Sequence, residues 1–216
     1  EPIVVEVIEE PSPFVAQVMA DVERLSAEDE PYHREPITYE APYLDNLPTA
    51  PREKFAANIA AIQKLKEIEQ RVANGGSPAF EDEQRILAQY TGWGGLSDAF
   101  DPNKSAWSNE YSQLKAALSE SEYEAARSST LTAFYTPATV IHPIYRALER
   151  FGVKGGKILE PSMGTGAFLA HGHFGSSDAK FYGVELDSIT GRISKQLYQK
   201  ANIQVTGYEN ALLPDN

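Results

Sequence analysis

Lys157-Ile158-Leu159-Glu160-Pro161-Ser162-Met163-Gly164-Thr165-Gly166-Ala167-Phe168-Leu169 is the stretch that decides how the chain is read. Apolar residues run into an acid, then into two glycines one residue apart, then into a second apolar run. That order is how a buried parallel strand passes into a helix through a turn whose backbone comes close to a ligand. Further strands and helices alternate outward from it. Downstream, a strand is expected over Lys180–Glu185. A helix capped by Asp187 follows, with Ile189, Ile193 and Leu197 at spacings of four, and then a strand over Ile203–Thr206. Upstream, Thr136 is the expected cap of a helix whose first residue is Pro137. That helix would carry Val140, Ile141, Ile144, Tyr145 and Leu148 on one face and stop at Gly152. The alternation predicts an α/β region over residues 131–216, with about three parallel strands joined by right-handed crossovers.

Residues 51–130 read as helical. Pro51 opens an amphipathic stretch with Phe55, Ile59, Ile62, Leu65, Ile68 and Val72 at spacings of three and four, ended by Asn74-Gly75-Gly76. Ser77 as cap and Pro78 at the first helical position predict a second helix carrying Phe80, Ile86, Leu87 and Tyr90. Helices over Asn109–Leu118 and Glu120–Arg127 follow, the latter opened by a capping box of Ser119 and Glu122. Ahead of these two helices lies Tyr90-Thr91-Gly92-Trp93-Gly94-Gly95-Leu96. This is either an interhelix corner plugged by Trp93 or an active-site lid or base-stacking platform, and the corner is favoured.

Residues 1–50 hold seven prolines and read as an extended segment, either a linker from a preceding domain or a functional arm, and the linker is favoured. One short helix is plausible over Pro13–Leu25, and Tyr32, Tyr39, Tyr43 and Leu44 are candidates to pin the segment to a globular surface. These 50 residues carry 12 acids against two arginines, a balance of −10, whereas residues 51–216 hold 19 acids and 17 bases, a balance of −2. Neither part has the basic footprint of a stand-alone nucleic-acid binder, so DNA would be gripped mostly from elsewhere. The absence of cysteine excludes disulfides and thiolate metal sites. No apolar run reaches the roughly 20 residues of a membrane span and no signal-peptide pattern opens the sequence, so a cytoplasmic setting is expected. The sequence opens without Met and reads as a piece of a longer protein.

Four pieces converge on one ligand chemistry. Phe134-Tyr135-Thr136-Pro137 precedes a helix N-terminus suited to a carboxylate. The turn from Glu160 to Gly166 offers bare backbone. Glu185, 19 residues beyond Gly166, is placed to accept from a ribose diol. Glu209, after the third strand, is placed to accept from an adenine amine. A ligand with a carboxylate, a ribose and an adenine, and no demand for phosphate contacts, is S-adenosylmethionine. A dinucleotide fits less well, because Leu169 stands where the third glycine or alanine of G-x-G-x-x-G belongs and the turn holds no base. His171 and His173 lack a third ligand at metal spacing and read as loop residues, and His142 as a surface residue of its helix.

Three of these stretches resemble the motifs of the adenine-N6 DNA methyltransferases with the order shared by type I restriction-modification subunits. Phe134-Tyr135-Thr136-Pro137, Glu160-Pro161-Ser162-Met163-Gly164-Thr165-Gly166-Ala167-Phe168 and Gly183-Val184-Glu185-Leu186-Asp187 occur in the family's order, and Glu209 is the match to its next acidic position. The resemblance covers residues 131–216 and implies a partial Rossmann-like S-adenosylmethionine methyltransferase fold. It implies that Tyr135 and Thr136 hold the methionine moiety, that Glu160, Gly164 and Gly166 line its path within a motif that includes Pro161 and Phe168, that Glu185 binds the ribose, and that Glu209 binds the adenine. The family's catalytic N-P-P-F/Y does not occur, so the sequence names no catalytic residue, and strand Lys157–Glu160 is expected to lie at a sheet edge. The Trp93 region is also similar to large methylase-helicase proteins of conjugative elements and phages. The expected function is the cofactor-binding part of a DNA adenine-N6 methyltransferase within a larger DNA-binding protein, inactive by itself. The alternatives are a non-catalytic scaffold or DNA-recognition module of a helicase-type protein, and a methyltransferase acting on RNA or on protein glutamine.

Overall fold

A computed structural model describes residues 35–39, 47–172 and 179–214. The expected helix at Pro13–Leu25, and Tyr32, Tyr43, Leu44 and His173, lie outside the described residues. In chain order the helices are α1 (Pro51–Ala73), α2 (Glu81–Leu87), α3 (Ser108–Ala117), α4 (Glu120–Ser129) and α5 (Ala138–Arg150), followed by strand β1 (Gly156–Glu160). Helix α6 (Ala167–His171), strand β2 (Ala179–Glu185), helix α7 (Ser188–Leu197) and strand β3 (Asn202–Val205) complete the regular structure. Short 3-10 turns lie at Ser97–Phe100, Ser105–Trp107 and Tyr208–Asn210. The three strands form one parallel sheet in the order β1-β2-β3.

Consecutive strand order with right-handed crossovers puts α6 and α7 on the same face of the sheet. The side chains agree. Ile158 and Phe181 pack with Ile141 and Tyr145 of α5, and Met163 sits over Gly183 so closely that a Cβ there would lie 2.2 Å from its sulfur. β1 is an edge of the sheet among the described residues, as its sequence led one to expect.

Helix α7 joins the sheet to the helical region. Ile189, Ile193 and Leu197 are each no more than 1% exposed and share one core with Ile62, Leu65, Trp93 and Leu114 from the helical part. Each such burial stabilises by roughly 1.5–3 kcal/mol. On the polar side of α7, Arg192 donates to both carboxylate oxygens of Glu69 on α1 (2.7 and 2.8 Å) and to Glu122 on α4 (2.8 Å). Burial pushes the Glu122 carboxyl up. The bonds from Arg192, the Ser119 N–H and Lys66 outweigh that and hold it down at about 2. The short described segment before α1 is tied to the same helix end. Tyr39 N–H donates to the Leu197 carbonyl, Gln199 N–H to that of Ile37, and Tyr39 is buried.

Local expectations fare unevenly. The capping box of Ser119 and Glu122 forms, and Asp187 caps α7 by accepting from Thr190 N–H. Ser77 does not cap α2, which starts at Glu81. Arg71 donates to the Ser77 and Pro78 carbonyls and to Glu83, holding that approach out of the helix while Glu83 accepts from Phe80 N–H. Thr136 does not cap α5 either. Pro137 is itself extended, with ψ of 153°, and stands at the N-cap, so the helix begins at Ala138. Of the expected α5 face, Ile141 and Tyr145 are buried, while Val140 and Ile144 are 47% and 41% exposed.

Because one core serves both regions, chemical denaturation should show a single cooperative transition. Ile62→Ala and Ile193→Ala should each destabilise it by about 2–5 kcal/mol. Two separable transitions, each moved by only one of these substitutions, would show that the regions fold independently.

Candidate functional site

The carboxyl end of the sheet is built around the glycine turn. Gly164 and Gly166 have φ of +55° and +77°, the left-handed region that a side chain disfavours. Gly164 N–H donates to Glu185 Oε2 (2.7 Å), its carbonyl accepts from Ser194 Oγ of α7 (2.9 Å), and Met163 N–H donates to the Val184 carbonyl (3.0 Å). The other Glu185 oxygen accepts from Asp187 N–H (2.8 Å). One carboxylate therefore ties the β1 turn to the β2 turn.

The space above both glycines is taken by the protein's own rings. A Cβ on Gly164 would stand 2.7 Å from Tyr135 Cε1, and one on Gly166 would stand 2.4 Å from Tyr198 Cε2. Tyr135 also presses on Gly92 of the tryptophan loop, where a Cβ would lie 2.7 Å from its hydroxyl, and Gly94 admits the Ala133 carbonyl in the same way. Asn58 of α1 fixes that loop, donating to the Gly92 carbonyl (2.7 Å) and accepting from Thr91 N–H (2.8 Å). Trp93 is 1% exposed among Phe55, Tyr90 and Phe100, so the loop is an interhelix corner.

Beside Tyr135 a cavity of about 450 Å³ opens between the sheet and the helical region. Ser162, Gly164, Glu185 and Asp187 from the strand ends, Thr190 from α7, and Tyr90, Ala125, Ser128, Thr132 and Tyr135 line it. Phe134 and Leu186, 68% and 77% exposed, also line it. Among the described residues, no lysine or arginine lines it. Burial raises the Tyr135 phenol well above its ordinary range, partly offset by its bond with Thr190. Burial likewise raises the Glu185 carboxyl, against the bonds from the Asp187 and Gly164 N–H groups.

The predicted residues are only partly brought together. Tyr135, Gly164 and Glu185 line the cavity; Gly166 lies under Tyr198. Glu160 ends β1 with Oε2 buried and unbonded, and burial, with Glu185 nearby, raises its carboxyl to about 8. Pro161 and Thr136 are exposed and do not line the cavity. Phe168 turns toward α5, its ring 6.2 Å from that of Tyr145, which donates to its carbonyl. Glu209 is exposed in the 3-10 turn after β3, bonded to Asn210 and away from the cavity. Asp187 was legible as a helix cap, whereas the α4 wall has no sequence signal because only tertiary packing brings it there. His171 is buried at the end of α6 and pairs edge-on with His142, Nδ1 to Nε2 at 3.1 Å. No group of three metal-binding side chains occurs among the described residues. A larger cavity of about 580 Å³, at the amino-terminal end of the strands, holds none of the predicted residues.

Over 177 residues, 82% of the chain, the sequence is 26% identical to the Defense against restriction protein B of Escherichia phage P1. The aligned stretch is 6% of the phage protein, so the chain spans a small fraction of that relative. No family model matches the chain, and no solved structure matches it. This match overturns the resemblance to the adenine-N6 DNA methyltransferases. The similarity that extends along the chain is to a restriction-defence protein, and the motif-like glycines and Glu185 have packing roles of their own. No described helix is long and apolar enough to cross a membrane.

Gly164→Ala should destabilise the fold by at least about 2 kcal/mol, from left-handed strain plus the clash with Tyr135. Combined with Tyr135→Ala it should cost less than the sum of the two, because the clash is gone; strict additivity in a double-mutant cycle would disprove the contact. Glu160 gives a pH signature. Its folded carboxyl titrates near 8 and its unfolded one near 4.5. Between those values the unfolded chain binds fewer protons, so stability should fall as pH rises from about 4.5 to about 8 and then level off. Glu160→Gln should make that slope shallower in denaturation midpoints measured across this range, leaving the part that the raised Glu185 carboxyl contributes.

Proposed function

We propose that this chain is a non-catalytic scaffold or DNA-recognition module of a larger helicase-type protein that acts against restriction. The observation that carries the reading is the filled glycine turn. The space that a side chain would take at Gly164 and Gly166 is filled by Tyr135 and Tyr198, and both Glu185 oxygens accept backbone N–H bonds. A carboxylate so used ties two turns together and offers less to a ribose. The position of Glu209 away from the cavity, and the phage relative's role in defence against restriction, support the same reading. In this reading the three parallel strands are half of a Rossmann-like fold retained for its architecture.

One observation favours a second reading. The cavity beside Glu185 and Asp187 has the size of a small-ligand pocket, with two carboxylates and, among the described residues, no cation on its walls. A nucleoside that brings its own positive charge, such as S-adenosylmethionine, suits it better than a phosphate-bearing one.

Calorimetric titration of the whole chain with S-adenosylmethionine separates the two. The scaffold reading expects affinity weaker than about 1 mM and no methyl transfer to DNA. Saturable micromolar binding that is lost in Glu185→Ala would replace it with the ligand-binding reading.

A further inference from the structure

Basic side chains of the helical region are engaged within that region, in pairs such as Lys66 with Glu122 and Arg71 with Glu83, or Lys54 with the Gly94 carbonyl. Arg192 of α7 is held by two glutamates. The lysines of the sheet are distributed differently, gathering at its amino-terminal end. Lys154 lies two residues before β1, Lys157 is its second residue, Lys180 is the second residue of β2, and Lys200 lies two residues before β3. All four are exposed.

Strand register sets Lys157 beside Lys180, and Lys200 lies in the turn two residues before Asn202, the β3 residue that pairs with Tyr182. Lys180 and Lys200 also line one cavity together. Because Ile158 and Phe181 face α5, their neighbours Lys157 and Lys180 project from the opposite face of the sheet. Neighbouring strands lie about 4.8 Å apart, so the register sets like charges side by side, where they repel one another.

We propose that this lysine row at the amino-terminal end of the sheet is a contact surface for the phosphate backbone of a nucleic acid. A phosphodiester strand presents regularly spaced single charges, which suit a line of flexible point cations, and it makes no demand for a shaped pocket. The chain's net charge of −12 does not forbid this. Residues 51–216 account for only −2 of it, and at physiological salt charges beyond about 8 Å are screened. The inference gives a place to the recognition arm of the function proposed above. It does not involve the carboxyl-end cavity, so the ligand titration and the following test can fail independently.

The test is fluorescence anisotropy of a labelled duplex of about 20 base pairs with the whole chain, from about 50 to about 200 mM salt. Three to four phosphate contacts predict a log–log salt slope of about −3 to −4, a loss of roughly 100-fold in affinity over that range. Lys180→Glu combined with Lys200→Glu should weaken binding at least tenfold at the lowest salt and flatten the slope by about two. Lys195→Glu, an exposed cation on α7, should change it far less. No saturable binding at low salt, or equal losses from the Lys195 control, would overturn the proposal. So would displacement of the duplex by poly-glutamate as readily as by unlabelled DNA, which would make the surface one for acidic polypeptide. Unchanged circular dichroism and midpoint in the variants would show that any loss is not unfolding.

Discussion

The ring of Tyr135, closed between two glycine turns, is the contact on which the arrangement of the two regions depends. Gly92 belongs to the helical region and Gly164 to the sheet, and each lacks the Cβ that would collide with the same side chain. Neither turn could carry alanine without moving the ring, and the ring cannot move without opening the cavity beside it. The glycines are therefore explained first as packing partners. A turn that makes room for an internal aromatic has the same sequence as one that makes room for a ligand, because both need a bare backbone at positive φ.

Helix α7 secures what Tyr135 aligns. Its apolar stripe enters the common core. Its Arg192 reaches two helices of the other region, and its Ser194 holds the Gly164 carbonyl from behind. The Arg192–Glu69–Glu122 cluster is partly exposed, so its direct contribution is modest, and burial of Ile189, Ile193 and Leu197 stabilises more. The ion cluster chiefly fixes which way α7 faces, since a rotated helix would break the bonds from Arg192 to both glutamates.

Much of the fold was legible because it is local. The three strands, the parallel pairing, the cap at Asp187 and the capping box at Ser119 each follow from residues a few positions apart. The misassigned helix starts have a common cause. At Ser77 and at Thr136 a polar residue precedes a proline, which is the written signature of a helix opening, yet bonds from Arg71 hold the first approach out of the helix, and at the second Pro137 stays extended. The candidate site was legible in its glycines and in Glu185, and illegible in what covers them. Nothing in the spacing of Tyr135 or Tyr198 from the glycine turn reports that their rings land upon it. Glu209 was placed by order along the chain, and order does not say that the chain turns away after β3.

The two ends of the sheet differ in a way that bears on function. The carboxyl end gathers Glu160, Glu185 and Asp187 around the turns, and among the described residues no cation lines the cavity there. Glu160, held neutral by burial until pH reaches about 8, relieves part of the repulsion with Glu185. The amino-terminal end gathers exposed lysines instead. An anionic polymer is repelled from the first end and attracted to the second, so a nucleic acid and a small cationic ligand would not compete for one surface. In nucleotide-binding sheets the carboxyl end is the customary site because helix N-termini there attract phosphate. Here that end is acidic and its turn is filled, so electrostatics and sterics agree in moving any contact with a polyanion to the opposite edge.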